Sequence, residues 1–361
     1  MIAVSANVVA DAVVFCVALF ASLILTLPIR RLALHYGMVD NPGPRKVHAR
    51  PMPMLGGVAI YLGFVIALFL RRASFPLAQI LAIVAGATLL AVVGVLDDRG
   101  LLHHQVKLFV AMPVAALLLL ASGIRAQLFS VLLPGPAGQF LDACLTVFWV
   151  VGITASFSIL DHLDGLCAGI AAVAAAFFAL AASLNGQTLV RTLGAAAFGA
   201  ALGFLIWNFN PAKIFMGDGG AMLLGFLMAT LGLKLRPAAD LSVSHLPLAW
   251  LVPILILGVP IFDTTLISIS RSRRGLLPFT SPGKDHTAHR LSNIGLGHRG
   301  AVIAMYCLAA LLGSMALLVQ RVPLPIAFAL AAGLLICALV GVWLLESVNF
   351  ERQVKRTPAK P

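Results

Sequence analysis

The sequence predicts an all-α integral membrane protein whose helices cross a bilayer many times. Composition is the first reason: 61% of the 361 residues are hydrophobic and 11% are charged, against roughly 45–50% and about 25% in soluble globular chains. Length is the second, because apolar runs close to the ~20 residues that span a bilayer recur from end to end. The third is the position of the charges, which lie in short loops between those runs. The bilayer core leaves no water for exposed backbone groups, so each span is expected to be helical.

Taken in order, apolar runs broken by polar turns place about eleven helices, at 11–29, 53–70, 77–96, 107–123, 143–160, 166–184, 192–207, 219–235, 247–269, 301–319 and 324–346. No Lys or Arg precedes the first run, which therefore reads as a span and not as a cleaved leader. The third run ends on Asp97 and Asp98, and Lys107 opens the fourth. The stretches 134–138 and 237–244 read as outer loops with little chemistry. Residues 1–350 form a single transmembrane domain, and 351–361 a basic tail.

Charge orients the spans. With residue 1 outside, 18 of the 25 Lys and Arg residues fall inside and 7 outside, so the positive-inside rule predicts an outer N-terminus and a cytoplasmic C-terminus. Asp40, Asp97, Asp98, Asp161, Asp164, Asp218 and Asp285 fall on the same inner face, as do eight of the nine histidines. The working surface is thus expected to be cytoplasmic. A net charge of +12 would otherwise raise nucleic acid as a partner, but here the cations sit in short inter-span loops and suit topology and anionic substrates. The five cysteines lie in apolar segments without CxxC spacing, which indicates neither a disulfide framework nor a zinc site.

Five inner stretches carry the chemistry. DNPGPRKVHARPMPMLGG, residues 40–57, gathers Arg45, Lys46, His48 and Arg50 among four prolines. VGVLDDRGLLHHQVK sets adjacent carboxylates at the edge of an apolar run, where ionisable groups are costly and mark sites. In ASFSILDHLDGL, a helical spacing would put Asp161 and Asp164 on one face with His162 pointing elsewhere. NFNPAKIFMGDGG surrounds Asp218 with Gly217, Gly219 and Gly220 near Lys213, so the backbone is expected to approach a bulky anion closely. The loop 271–299 pairs His286 with His289 beside Arg290; phosphate recognition fits its six cations better than a transition metal does. Asp263, in VPIFDTT, is a deep acid without an assigned partner.

Together these stretches resemble the polyprenyl-phosphate N-acetylhexosamine-1-phosphate transferases. The matches are RKVH with a following GG, GVLDD with a downstream Lys, LDHLDGL, NPAKIFMGDGG and HTAHRL, in the family's order over about residues 40–300. The resemblance implies Mg²⁺-dependent transfer of a sugar 1-phosphate from a UDP-sugar to a polyprenyl phosphate, with release of UMP and Mn²⁺ as a substitute metal. It implies Asp218 as the metal ligand and Asp97, Asp98, Asp161 and His289 as catalytic residues. Lys46, His48, Lys107, Ser158, Asp164, Asn208, Lys213, His286 and Arg290 then bind substrate. The expected partners are a UDP-N-acetylhexosamine (UDP-GlcNAc by default), undecaprenyl phosphate, membrane lipid and a second copy of the chain.

The chain departs from the family's pattern. Ala155 and Ser158 stand where asparagines are usual, His162 replaces a glycine, and the histidine loop reads His286-Thr287-Ala288-His289 in place of HxHH. The competing expectation is a transporter or non-catalytic partner on the same fold. A transporter would hold its ionisable groups near the bilayer midplane, whereas here they gather at one face.

Overall fold

The computed structural model describes residues 2–42, 51–102, 104–236, 246–276, 283 and 285–348. Lys46 and His48 therefore lie outside the described residues, as does the basic tail. The helices are α1 Ile2–His35, α2 Gly56–Phe69, α3 Leu77–Asp98, α4 His104–Val106, α5 Met112–Ala121, α6 Phe129–Leu132, α7 Pro136–Leu160, α8 Leu166–Leu184, α9 Thr188–Asn208, α10 Gly217–Lys234, α11 Leu246–Ile256, α12 Gly258–Arg273, α13 Thr287–Leu291, α14 Gly297–Val319 and α15 Leu324–Glu346. A π-helical turn, Lys107–Ala111, joins α4 to α5.

Each of the eleven apolar runs coincides with helix. Among the described residues, seven helices are long and apolar enough to cross a membrane, and the α11–α12 pair makes an eighth if counted as one broken span. Gly56–Phe69 and Lys107–Ala121 are shorter apolar helices. The run at 247–269 is not one straight helix, because α11 and α12 meet at 76°. Pro260 explains the break: it has no N–H to donate, its ring clashes with the carbonyl four residues back, and Gly258 beside it adds flexibility.

At the centre of the bundle is α10, every residue of which from Gly219 to Gly232 is buried. It packs against α2, α3 and α7 through glycine. A Cβ on Gly57 would come within 2.3 Å of the Gly220 nitrogen, and one on Gly94 within 2.2 Å of the Gly219 backbone. The glycines of the GDGG stretch thus serve helix–helix approach, as small residues commonly do in membranes. This corrects the expectation that they clear room for an anion. Only Gly217 is needed for its backbone conformation: its φ is +72°, and a Cβ there would meet the Asp98 carboxylate at 2.3 Å.

One end of the bundle is stitched together by backbone. A two-residue antiparallel ladder pairs Val39 with Pro53 and Asp40 with Met52. Phe215 N–H donates to Pro53 O (2.8 Å), and Gly56 and Gly57 N–H donate to Phe215 O and Met216 O (2.9 and 2.8 Å). The start of α10 is thereby tied to the chain leading into α2.

Candidate active site

Asp218 lies in the first turn of α10, at the end where α3, α7, α9 and α12 finish and α8 and α14 begin. Ser158 Oγ donates to Asp218 Oδ1 (3.2 Å). Lys107 Nζ donates to Asp97 Oδ2 (2.8 Å) and also pairs directly with Asp218 Oδ2. Asp98 Oδ1 accepts the Asp218 N–H (3.1 Å), so the last residue of α3 caps α10. A carboxylate is favourable there because the first N–H groups of a helix are unpaired and its N-terminal end is positive.

Asp161 faces the same acids. Burial first, then repulsion by Asp218, Asp98 and Asp164, pushes its carboxyl up to about 8. Such a shift marks a carboxyl that is buried first and then crowded by like charges. An oxygen-rich, anionic cluster of this kind fits a hard divalent cation such as Mg²⁺ or Mn²⁺. Asp218, Asp98 and Asp161 are the carboxylates that could hold such an ion, with Lys107 offsetting part of the charge.

The turn after α7 separates residues that are neighbours in sequence. The chain leaves helix at Asp161 (φ −80°, ψ 61°), and α8 is entered through Gly165 in the left-handed region. Asp161 and Asp164 therefore do not share a helical face, contrary to the spacing argument. Asp164 Oδ2 accepts Asn210 Nδ2–H and Ala212 N–H, both at 3.0 Å. Asn208 is equally engaged: its Oδ1 accepts Gly165 N–H and its Nδ2 donates to Ile214 O, each at 3.0 Å. Both residues brace the 208–217 loop. Arg299 adds to this through Asn210 O, and Arg30 through Lys213 O (2.9 Å each). Lys213 itself is exposed, with its ammonium 5.0 Å from the centre of the Trp207 ring.

A second cluster abuts the acids at His162. Its ring stacks on His286 (centroids 3.8 Å apart, 24° between planes) and lies 4.8 Å from the His289 ring. His162 had been expected to point away from the chemistry. Burial first, then His286, holds it well below the usual histidine range, so it is neutral. Its Nδ1 donates to Ile159 O (3.3 Å). Asp263, unassigned in the sequence, lies beneath the pair. His286 Nδ1–H donates to Asp263 Oδ2 (2.9 Å) and Thr287 N–H to Oδ1 (2.7 Å). Ligand atoms of His162, Asp263 and His286 lie within 4.8 Å of one another. Stacked rings, however, set their lone pairs side by side, and the His286 nitrogen nearest Asp263 already carries a proton to it. As it stands, the group is a hydrogen-bonded histidine–carboxylate system.

Arg290, assigned to substrate from the sequence, is fully buried. Its guanidinium donates to Asp285 O (2.8 Å), Leu345 O (2.5 Å), Ser270 Oγ (2.8 Å) and Glu346 Oε1 (2.9 Å). It anchors α13 to α12 and the end of α15. Below it Arg271 holds Asp285 in two bonds (3.0 and 2.9 Å), with Arg274 adding a third (2.5 Å). Burial alone would raise the Asp285 carboxyl, but these bonds outweigh it and hold it at about 2.

Comparison with known proteins identifies the family. The family model described as glycosyl transferase family 4 matches residues 80–236. A probable undecaprenyl-phosphate N-acetylglucosaminyl 1-phosphate transferase of Bacillus subtilis is 37% identical over 312 residues, covering 85% of this chain and 84% of that one. A decaprenyl-phosphate N-acetylglucosaminephosphotransferase of Mycobacterium tuberculosis is 34% identical, covering 78% and 75%. An undecaprenyl-phosphate alpha-N-acetylglucosaminyl 1-phosphate transferase of Escherichia coli K12 is 27% identical, covering 84% and 82%.

Proposed function

The chain belongs to the polyprenyl-phosphate N-acetylglucosamine-1-phosphate transferases of glycosyl transferase family 4, and on that premise we propose how its site performs the transfer. It is a multi-pass membrane enzyme, a phosphotransferase that moves N-acetylglucosamine 1-phosphate to a polyprenyl phosphate. We take the donor to be UDP-GlcNAc, the acceptor undecaprenyl phosphate and the site cytoplasmic. The bias of 18 inner to 7 outer cations supports that orientation.

The observation that carries the mechanism is Lys107 bridging Asp97 and Asp218 beside Asp161. An acceptor phosphate oxygen forms a bond to the sugar-side phosphorus of the diphosphate. The bond from that phosphorus to the bridging oxygen breaks, and UMP leaves with the oxygen. The acceptor's second pKa is about 6, so at neutral pH it is mostly a dianion and needs no strong base. The difficulty is charge: two phosphate-bearing molecules must meet among carboxylates, and stabilising charge that develops in transfer is the largest catalytic effect. Bound at Asp218, Asp98 and Asp161, Mg²⁺ would supply Lewis acidity toward phosphoryl oxygens. Lys107 supplies a fixed ammonium at the same place. Because Asp98 Oδ1 is engaged in capping α10, we favour direct displacement over a phospho-aspartate intermediate. Ser158, standing where the family has Asn, keeps a polar contact to Asp218; Ala155 is buried in the core.

The test is UMP release by purified protein in detergent with undecaprenyl phosphate, Mg²⁺ and a panel of UDP-N-acetylhexosamines, beside Asp218→Asn. Lipid-dependent release with UDP-GlcNAc, absent in the variant, is the expected outcome. Release with another donor alone would replace the sugar, and no release from folded protein with any donor would overturn the reading.

A further inference from the structure

The deep acid Asp263 has a role that the transfer described above does not use. It lies eight residues before Arg271 on α12, about 12 Å along the helix from it at 1.5 Å per residue, and is 1% exposed. An ionisable group so placed in an apolar segment is costly without a specific partner. Both its oxygens are engaged with the histidine loop, Oδ2 with His286 Nδ1–H and Oδ1 with the Thr287 N–H. The loop thus meets α12 at this carboxylate as well as at Arg271 and Ser270.

The geometry points to Asp263 as a positioning residue for the transfer, acting through His286, whose Nε2 it presents to the diphosphate of the nucleotide-sugar donor. A carboxylate on one ring nitrogen fixes both the tautomer and the orientation of an imidazole. With Nδ1–H pinned on Asp263, Nε2 points away from it. The ring plane is set from the other side by His162, stacked at 3.8 Å. His162 directly follows Asp161, which faces Asp218 and Asp98, so the histidine slab borders the acid cluster where the diphosphate reacts. As an imidazolium donating to a phosphate oxygen, the ring would have Asp263 as its built-in counter-ion.

This inference rests on the transferase reading, and its test keeps the two apart. Asp263→Asn preserves shape and can still accept from Thr287. In the UMP-release assay it should raise the KM for UDP-GlcNAc about tenfold, the size of one charge-assisted hydrogen bond, with a smaller effect on kcat and none on the KM for undecaprenyl phosphate. Asp263→Glu should recover part of the loss. The double variant Asp263→Asn/His286→Ala should be no worse in donor KM than His286→Ala alone. Multiplicative losses in the double variant, or a donor KM within twofold of wild type in Asp263→Asn, would overturn the role while leaving the transferase intact. A fall in both variants confined to melting temperature, with donor KM unmoved, would do the same by making the acid merely structural. A wild-type protein without UMP release would instead sink the transferase reading, and the positioning role with it.

Discussion

Gly94→Ala is the most direct probe of how the fold builds this site. A Cβ at position 94 would lie 2.2 Å from the Gly219 Cα and nitrogen and 2.7 Å from the Asp218 carbonyl carbon, where ordinary contact begins at 3.4 Å. The helices must separate by about 1.2 Å, and the obstructing atoms are backbone, which cannot swing aside. α10 is also held by its other neighbours, Gly225 against Thr154 of α7 and Gly220 against Gly57 of α2. Overpacking of this kind costs about 1–3 kcal/mol, and this site belongs at the upper end. The movement also pulls Asp98 from the Asp218 N–H, a bond of 3.1 Å that an added ångström abolishes. Misplacing reacting groups by that much costs about a hundredfold in rate. Gly152→Ala is the control, a helical glycine of α7 with nothing within 4 Å; it should hold or gain up to about 1 kcal/mol from helix propensity. The assay is melting temperature in detergent with UMP release on the same samples. If Gly94→Ala matched Gly152→Ala in both, the account of α10 as a glycine-packed hub would be wrong.

Two further outcomes follow from charge. Asp161 has a folded-state pKa of about 8, above its unfolded value of 3.8, so the folded state binds the proton more tightly and metal-free stability falls as pH rises between those values. Asp161→Asn should therefore abolish transfer yet raise the melting temperature of chelator-treated protein at pH 8 more than at pH 5; an equal change at both would refute the crowding of acids. Arg290→Ala should lower stability by about 3 kcal/mol, the usual result of breaking a buried charge pair, with the donor KM of the surviving folded fraction little changed; a selective rise in that KM would return Arg290 to the substrate.

The helices were legible because the property that defines them is local. An apolar run near 20 residues long reports its own environment, and runs such as 166–184 and 324–346 match α8 and α15 to the residue. The end of the bundle that carries the chemistry was legible for a related reason. Acids at the edge of an apolar run are expensive, so Asp97, Asp98, Asp161 and Asp218 announced themselves one by one. The break at Leu257 was written in Pro253, Gly258 and Pro260, but hydrophobicity continues through it and masks it. The residues 43–50, with Lys46 and His48, lie between the paired residues Asp40 and Met52 and outside the described structure.

Partnership is what one sequence does not encode locally. Gly219 and Gly220 signal close approach, but a missing Cβ is silent about what approaches; the answer, Gly94 and Gly57, lies more than a hundred residues away. Asn208 and Arg290 have the chemistry of substrate ligands, yet their hydrogen-bonding groups are engaged within the protein. A polar residue beside a reactive motif can face the substrate or hold the loop that does, and composition is the same in both cases. Asp263 shows the converse. Its cost was legible from VPIFDTT, but its partner is 23 residues later, across a loop that no periodicity spans. Burial and its two bonds, one to each oxygen, point to the same answer: Asp263 is turned to the histidine loop. It holds His286, so its contribution reaches the reaction through that ring.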